Sequence, residues 1–287
     1  MKKIFLFAAA AMMVLACDKN NGGNDGGQTK NKVETAKENL VAYLPLESEA
    51  NAVSVGQGIS FGAKSGAAGF GEGFIGKAYT NTAGNNDEAY LKLNVAATNA
   101  IKSLEDITFT AWVKNVADFQ KGAILSMNGT NPSGDWPAFI AYFDNKSAAT
   151  DTDPAKQQVN GRVVFVRDGA DVNLWLDTWD PAFAKYDEWF QFAFTYDHTS
   201  GDWALYINGA EVKAANFGDK LPFSQAVPAD FNAFYVGGWA SRIDGTSTAD
   251  WQGYFAGSLD EIRIYNKALS ALEIASLYTE EVLIAAE

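Results

Sequence analysis

Apolar and polar residues alternate in short runs along most of this 287-residue chain. A period of two marks strands with one buried face, and Gly, Asn, Asp and Pro punctuate the runs. From residue 40 onward the pattern predicts strands at 40–46, 74–80, 88–93, 107–114, 123–127, 138–143, 161–167, 173–178, 189–196, 203–208, 211–214 and 233–237. Pro45 argues for an edge position of the first, because proline cannot donate to a ladder. Residues 56–73 are dense in glycine and predict loop with short strand. Asn208-Gly209 is the dipeptide of a two-residue hairpin turn, and 196–202 reads as a longer hairpin loop.

The stretch 253–278 changes period part-way. Ile262 and Ile264 alternate with Glu261, Arg263 and Tyr265, giving one apolar and one polar face. Asp260 falls in phase with the isoleucines, so its carboxylate is expected on the apolar side, where a charge requires hydrogen-bond donors or a metal ion. The spacing then becomes helical. Ser270 is an N-cap, Glu273 completes a capping box, and Leu269 and Ile274 are placed for a hydrophobic staple. No internal repeat and no other long helix is found. The prediction is an all-β protein with one short C-terminal helix.

Composition agrees: hydrophobic residues are 47% and aromatics 13%, enough for a large core, and 26 glycines against 7 prolines suit many tight turns. The net charge of −13 excludes nucleic acid as a partner held by bulk electrostatics and favours neutral ligands or cations. At the N-terminus, Lys2 and Lys3 precede an apolar run at 4–15 that is too short to span a membrane as a mature helix. It ends Val14-Leu15-Ala16-Cys17, which resembles a bacterial lipobox. Residues 1–16 are therefore expected to be a lipoprotein signal peptide, with Cys17 the lipidated first residue. Residues 17–39 then form a flexible tether and 40–287 the folded domain, held by its lipid at a bacterial outer membrane or cell surface. The alternative is an ordinary signal peptide with an incidental cysteine. Cys17 is the only cysteine, so intramolecular disulfides are excluded.

The C-terminal block Gly257, Leu259, Asp260, Glu261, Ile262, Arg263, Ile264, Tyr265, Asn266, Ala268, Leu269, Ser270, Glu273 and Ile274 resembles the closing strand and helix of laminin-G-like, concanavalin A-like domains. Residues 107–114, 188–197 and 203–209 are similar to that family's internal strands. The resemblance implies a two-sheet antiparallel jelly-roll sandwich over about 40–278. It leaves activity open, because lectins, adhesion modules and glycanases share this architecture. It also implies a rim calcium held by Asp260, for which Glu47, Glu49 or Asn51 would have to serve as N-terminal partners. The alternative is that Asp260 accepts backbone N–H groups.

Catalytic patterns are sparse. The Glu-x-Asp-x-(x)-Glu run of many glycanases is absent. Asp187-Glu188 and Asp260-Glu261 are adjacent pairs, expected to point to opposite faces. The single histidine, His198, lies in the polar hairpin loop beside Asp197 and reads as a turn residue. Binding has better support. Asn173, Trp175, Asp177 and Trp179 alternate with Leu174 and Leu176, which predicts a polar-aromatic face suited to a sugar, with Arg167 just before it. Trp175 could instead cap the sandwich edge. Two longer loops add Trp136, Arg242 and Trp251, with Trp239 in the same segment; packing over a satellite apolar cluster is the competing role for Trp239 and Trp251. The expectation is a non-catalytic, lectin-like domain that binds a neutral polysaccharide. The alternatives are an adhesion module with a surface-protein partner and a concanavalin A-like glycoside hydrolase.

Overall fold

The computed structural model describes residues 32–84, 87–116, 121–130, 134–144, 160–167, 170–178, 186–216, 218 and 220–287; within 160–167 and 170–178 it describes the backbone and the side chain of Val164. Cys17 and the expected signal peptide, residues 1–16, therefore lie outside the described residues. The elements are β1 (Leu40–Leu44), β2 (Ile59–Gly66), β3 (Gly69–Glu72), β4 (Lys77–Asn81), β5 (Ala89–Val95), β6 (Ile107–Asn115), β7 (Lys121–Met127) and β8 (Phe139–Asp144). They continue as β9 (Asn160–Arg167), β10 (Ala170–Thr178), β11 (Phe190–Asp197), β12 (Asp202–Ile207), β13 (Ala210–Asn216), β14 (Ala233–Val236), β15 (Gln252–Gly253) and β16 (Gly257–Tyr265). Two helices complete the set, α1 (Ala240–Ile243) and α2 (Ala271–Ala285).

The strands form two eight-stranded sheets. The first runs β13-β12-β11-β6-β16-β4-β3 with β1 on β16, and the second β10-β9-β8-β7-β14-β5-β2 with β15 on β7. Pairing is antiparallel except for the short parallel β15–β7 contact. This is the expected sandwich. Alternation explains the layering. Ile107, Phe109, Ala111 and Val113 of β6 and Phe190, Phe192, Phe194 and Tyr196 of β11 enter the inter-sheet core, where they meet Phe139, Ala141 and Phe143 of β8. The glycine-rich stretch 56–73 holds β2 and β3. Asn208 (φ 52°) and Gly209 (φ 78°) make the β12–β13 turn as their sequence predicts. Any side chain at Gly209 would press on Tyr278 and Ala275, so α2 rests directly on that turn.

In both β6 and β11 the residues between the core positions are buried as well, because α2 covers the outer face of the first sheet. Its capping box forms as read, with Ser270 accepting from Glu273 N and Glu273 accepting from Ser270 N. Leu269, Ile274 and Leu277 pack on Ala193, Ala204, Tyr206 and Tyr265. One turn further along the same stripe stands a carboxylate, Glu281, with no exposed surface. It accepts from Trp112 Nε1 at 2.6 Å and Gln191 Nε2 at 2.6 Å, and pairs with the Arg263 guanidinium. Arg263 also binds Glu261 at 2.6 Å and lies 4.2 Å above the Tyr43 ring, while Tyr43 OH donates to Glu261 at 2.8 Å.

The compact unit begins at Lys32, ahead of Leu40. Residues expected to belong to the tether are docked on α2: Glu34 N, Thr35 N and Thr35 Oγ1 all donate to Glu280, and Val33 and Ala36 pack against the apolar cluster. The polar composition of this stretch concealed it, since its main gain is hydrogen bonds to one carboxylate.

Burial pushes the Glu281 carboxyl up to about 7, from an ordinary 4.5, despite the adjacent arginine. A carboxyl that holds its proton more tightly in the fold stabilises fully below its unfolded value, and that stability is lost as pH rises through the folded value. Burial raises Asp260 too, acting in the same direction. We therefore expect the thermal stability to fall between pH 5 and 8 by as much as about 3 kcal/mol, and Glu281→Gln to flatten that slope. Arg263→Leu, which strands two buried carboxylates, should cost about 3–5 kcal/mol at pH 7 by chemical denaturation.

Candidate functional site

The outer face of the second sheet carries the aromatic residues. In β8 the positions between the core phenylalanines, Ile140 and Tyr142, turn outward, and their cross-strand partners are Ser126 and Ala123 of β7 and Val164 and Arg162 of β9. Ala123, Ile140, Tyr142 and Val164 form a cluster with Trp239, and the half-buried Trp136 and Trp251 close over it. Ring centroids lie 5.4 Å apart for Trp136–Trp251 and Trp136–Trp239, 5.1 Å for Trp239–Trp251 and 5.8 Å for Trp136–Tyr142. Trp239 is fully buried and its Nε1 donates to Lys121 O at 2.9 Å, so it is the floor of the site. Lys121 Nζ stands 5.0 Å from the Trp251 ring centroid. The two loops that bring Trp136 and Trp251 together are joined at Asp135: Ser241 Oγ donates to its carbonyl at 2.8 Å and Ser247 Oγ to its carboxylate at 2.6 Å.

Two of the residues singled out in the sequence thus meet, Trp136 and Trp251. Arg242 does not join them. It lies in α1 with its guanidinium 4.8 Å from the Tyr254 ring centroid and bonded to Gln252 O, so it braces the loop. Asn173, Trp175 and Asp177 lie in β10 beside the cluster. In the backbone register Trp175 pairs with Val164, which pairs with Ile140. The side chains of Arg167, Asn173, Trp175 and Asp177, and the whole of Trp179, lie outside the described residues. Tyr142 and Lys121 escaped the sequence reading. Tyr142 had a signal, its phase opposite to Phe139 and Phe143.

The closing strand departs from the simple alternation. A bulge between Asp260 and Arg263, with Glu261 at φ 51°, moves Leu259 onto the core side with Ile262 and Ile264. Asp260 is turned to the opposite side, where it faces Trp112 across the ladder, and Glu261 shares that side with Arg263. This corrects two expectations, that Asp260 shares the isoleucine face and that Asp260 and Glu261 diverge. Both carboxylates are buried, Asp260 against the loop of Phe74, whose ring stacks on Trp112 at 3.4 Å, and Glu261 between Arg263 and Tyr43.

Asp260 Oδ2 accepts from Phe74 N at 2.8 Å and Ile75 N at 3.0 Å, and Oδ1 from Glu261 N at 2.8 Å. Glu47 reaches the same loop, accepting from Lys77 N at 3.0 Å. A Cβ at Gly73 would lie 2.6 Å from Asp260 Oδ2, so the loop closes around the carboxylate only with glycine there. N–H groups aimed at both oxygens suit an anion rather than a cation, and they fit the second of the two readings, a hydrogen-bonded structural aspartate. His198 Nδ1 pairs with Asp106 at 2.7 Å rather than with its neighbour Asp197, whose carboxylate serves Thr199 and Ser200.

A laminin G-type family model, described as the concanavalin A-like lectin/glucanases superfamily, matches residues 84–275, and the chain belongs to that superfamily. No curated protein matches it in sequence. Among solved structures, the binding domain of botulinum neurotoxin DC, in complex with rat synaptotagmin II, is similar with a TM-score of 0.57 at 12% identity, over 86% of this chain and 52% of that one. The serotype G binding domain gives 0.57 at 12% over 84% and 51%. The serotype D ligand-binding domain, in complex with N-acetylneuraminic acid, gives 0.53 at 15% over 84% and 51%. The chain spans about half the length of these proteins, and at such identities the likeness is one of fold.

For the closing strand we expect a melting temperature indifferent to millimolar calcium and to chelator. Asp260→Ala should lose about 1–3 kcal/mol, because three N–H groups lose their acceptor. A calcium-dependent rise in melting temperature that Asp260→Asn abolishes would establish an ion instead.

Proposed function

We propose that the chain is a non-catalytic glycan-binding module that recognises a neutral polysaccharide through the outer face of the second sheet. The observation that carries this reading is the partly buried Trp136–Trp251 pair, seated on the buried rings of Trp239 and Tyr142. Flat apolar rings stack on the C–H face of a pyranose, and a rigid floor means that little ordering is needed on binding. Membership of a superfamily that includes lectins supports the class of ligand. A net charge of −13 disfavours acidic glycans. The absence of catalysis is inferred from the burial of Asp260 and Glu261, the adjacent carboxylates of the closing strand. Anchoring through a lipidated Cys17, at a bacterial outer membrane or cell surface, completes the proposal and rests on the lipobox-like sequence.

A glycan array probed with the full chain, with calcium and with chelator, tests the ligand class. Trp136→Ala and Trp251→Ala, each still folded, should weaken binding to the best neutral glycan about tenfold, near 1.4 kcal/mol. Binding confined to sialylated or other acidic glycans would refute the neutral class. New reducing ends that vanish in a carboxylate variant would refute the absence of catalysis. For the anchor, intact mass should reveal an acylated chain starting at Cys17, and Cys17→Ser should lose the acyl mass; a mature chain beginning elsewhere without acyl groups would overturn it.

A further inference from the structure

Gln252 is a fully buried amide placed directly after Trp251. Its strand, β15, is fixed in the second sheet by pairing with Lys121 of β7. From there Nε2 reaches out of the strand to two acceptors: the carbonyl of Asp135, the residue before Trp136, and Ser241 Oγ at 3.2 Å. Both N–H groups of the amide are thus used, and Oε1 has no hydrogen-bond partner. A buried amide left half satisfied is costlier than an apolar side chain of similar size. What distinguishes Gln252 from such a side chain is its donors, and both serve the junction of the two tryptophan-bearing loops.

We infer that Gln252 is the positioning residue of the aromatic site, holding the backbone at Trp136 against the strand that carries Trp251. The inference rests on the reading of this face as the binding site. Ser241, in α1, and Ser247 approach Asp135 from the segment after β14, which is tied to β7 through Trp239 Nε1 on Lys121 O and Ala240 N on Ser126 Oγ, whereas Gln252 approaches it from β15, a strand paired directly with β7 next to Trp251. Removing its donors leaves both rings present and frees their spacing, and a binding platform about an ångström out of place is a poor one.

The test uses the full chain with Gln252→Leu and Gln252→Met, both similar in size and without donors. Amide hydrogen exchange across 134–138 should accelerate about tenfold or more in both, with α2 and the core strands unaffected and the melting temperature nearly that of wild type. Electrophoretic retardation in gels cast with a soluble β-glucan, a xylan or a galactomannan should weaken in parallel. Unchanged exchange at 134–138 in either folded variant overturns the inference, whatever the gels show. Should the leucine variant not fold, the methionine variant carries the same test. Retardation that survives Trp136→Ala refutes the binding reading instead, and the exchange result then stands on its own.

Discussion

Arg263 and the two carboxylates around it hold the closing strand, the C-terminal helix and the first strand together. Taking three charged groups out of water costs several kcal/mol per ion, and the pairing offsets this only because almost every remaining donor and acceptor is engaged. Trp112, Gln191 and Tyr43 supply those bonds from three other strands. The bulge at Glu261 is what makes the arrangement possible, because without it Glu261 and Arg263 would keep their side while Asp260 would enter the core. Helix α2 is then held by apolar packing at its start and by Glu281 near its end. The N-terminal segment follows by attaching to Glu280 of the same helix.

That constraint divides the molecule. The outer face of the first sheet is occupied by α2, and the rings there, Trp112 and Phe74, are stacked under it or on the loop that wraps Asp260. The outer face of the second sheet is covered differently, by a segment from Gly238 to Gly253 that brings in two tryptophans and leaves one of them, with Trp136, half open. A rigid sandwich with loops on one face is a common basis for recognition. Here the loop side chains are braced from below by Trp239 and from the side by Arg242.

Much of the fold was legible in the sequence, since period-two alternation, Asn208-Gly209 and the Ser270–Glu273 box act locally and strongly. What failed did so for physical reasons. Alternation cannot foresee a bulge, so Asp260 was assigned to the wrong face. Glu281 looks like a surface residue of an amphipathic helix, because its partners lie on strands far away in sequence. Arg242 looks like a ligand contact when only its own loop is considered, and its role depends on Tyr254. Of the candidate site, Trp136 and Trp251 were found by residue type and loop position. Their neighbours Tyr142 and Lys121 belong to strands, where a sequence reading assigns them to structure.

The central claim is that recognition belongs to the second sheet and not to the helix-covered one. Tryptophan indole N–H resonances report on it directly, because the six tryptophans whose side chains are described are distributed over both faces and the core. Titration with the neutral oligosaccharide that binds best should shift the signals of Trp136 and Trp251 and leave those of Trp112 and Trp203 in place. Shifts confined to Trp112 and Trp189, on the side of the first sheet, would contradict the account.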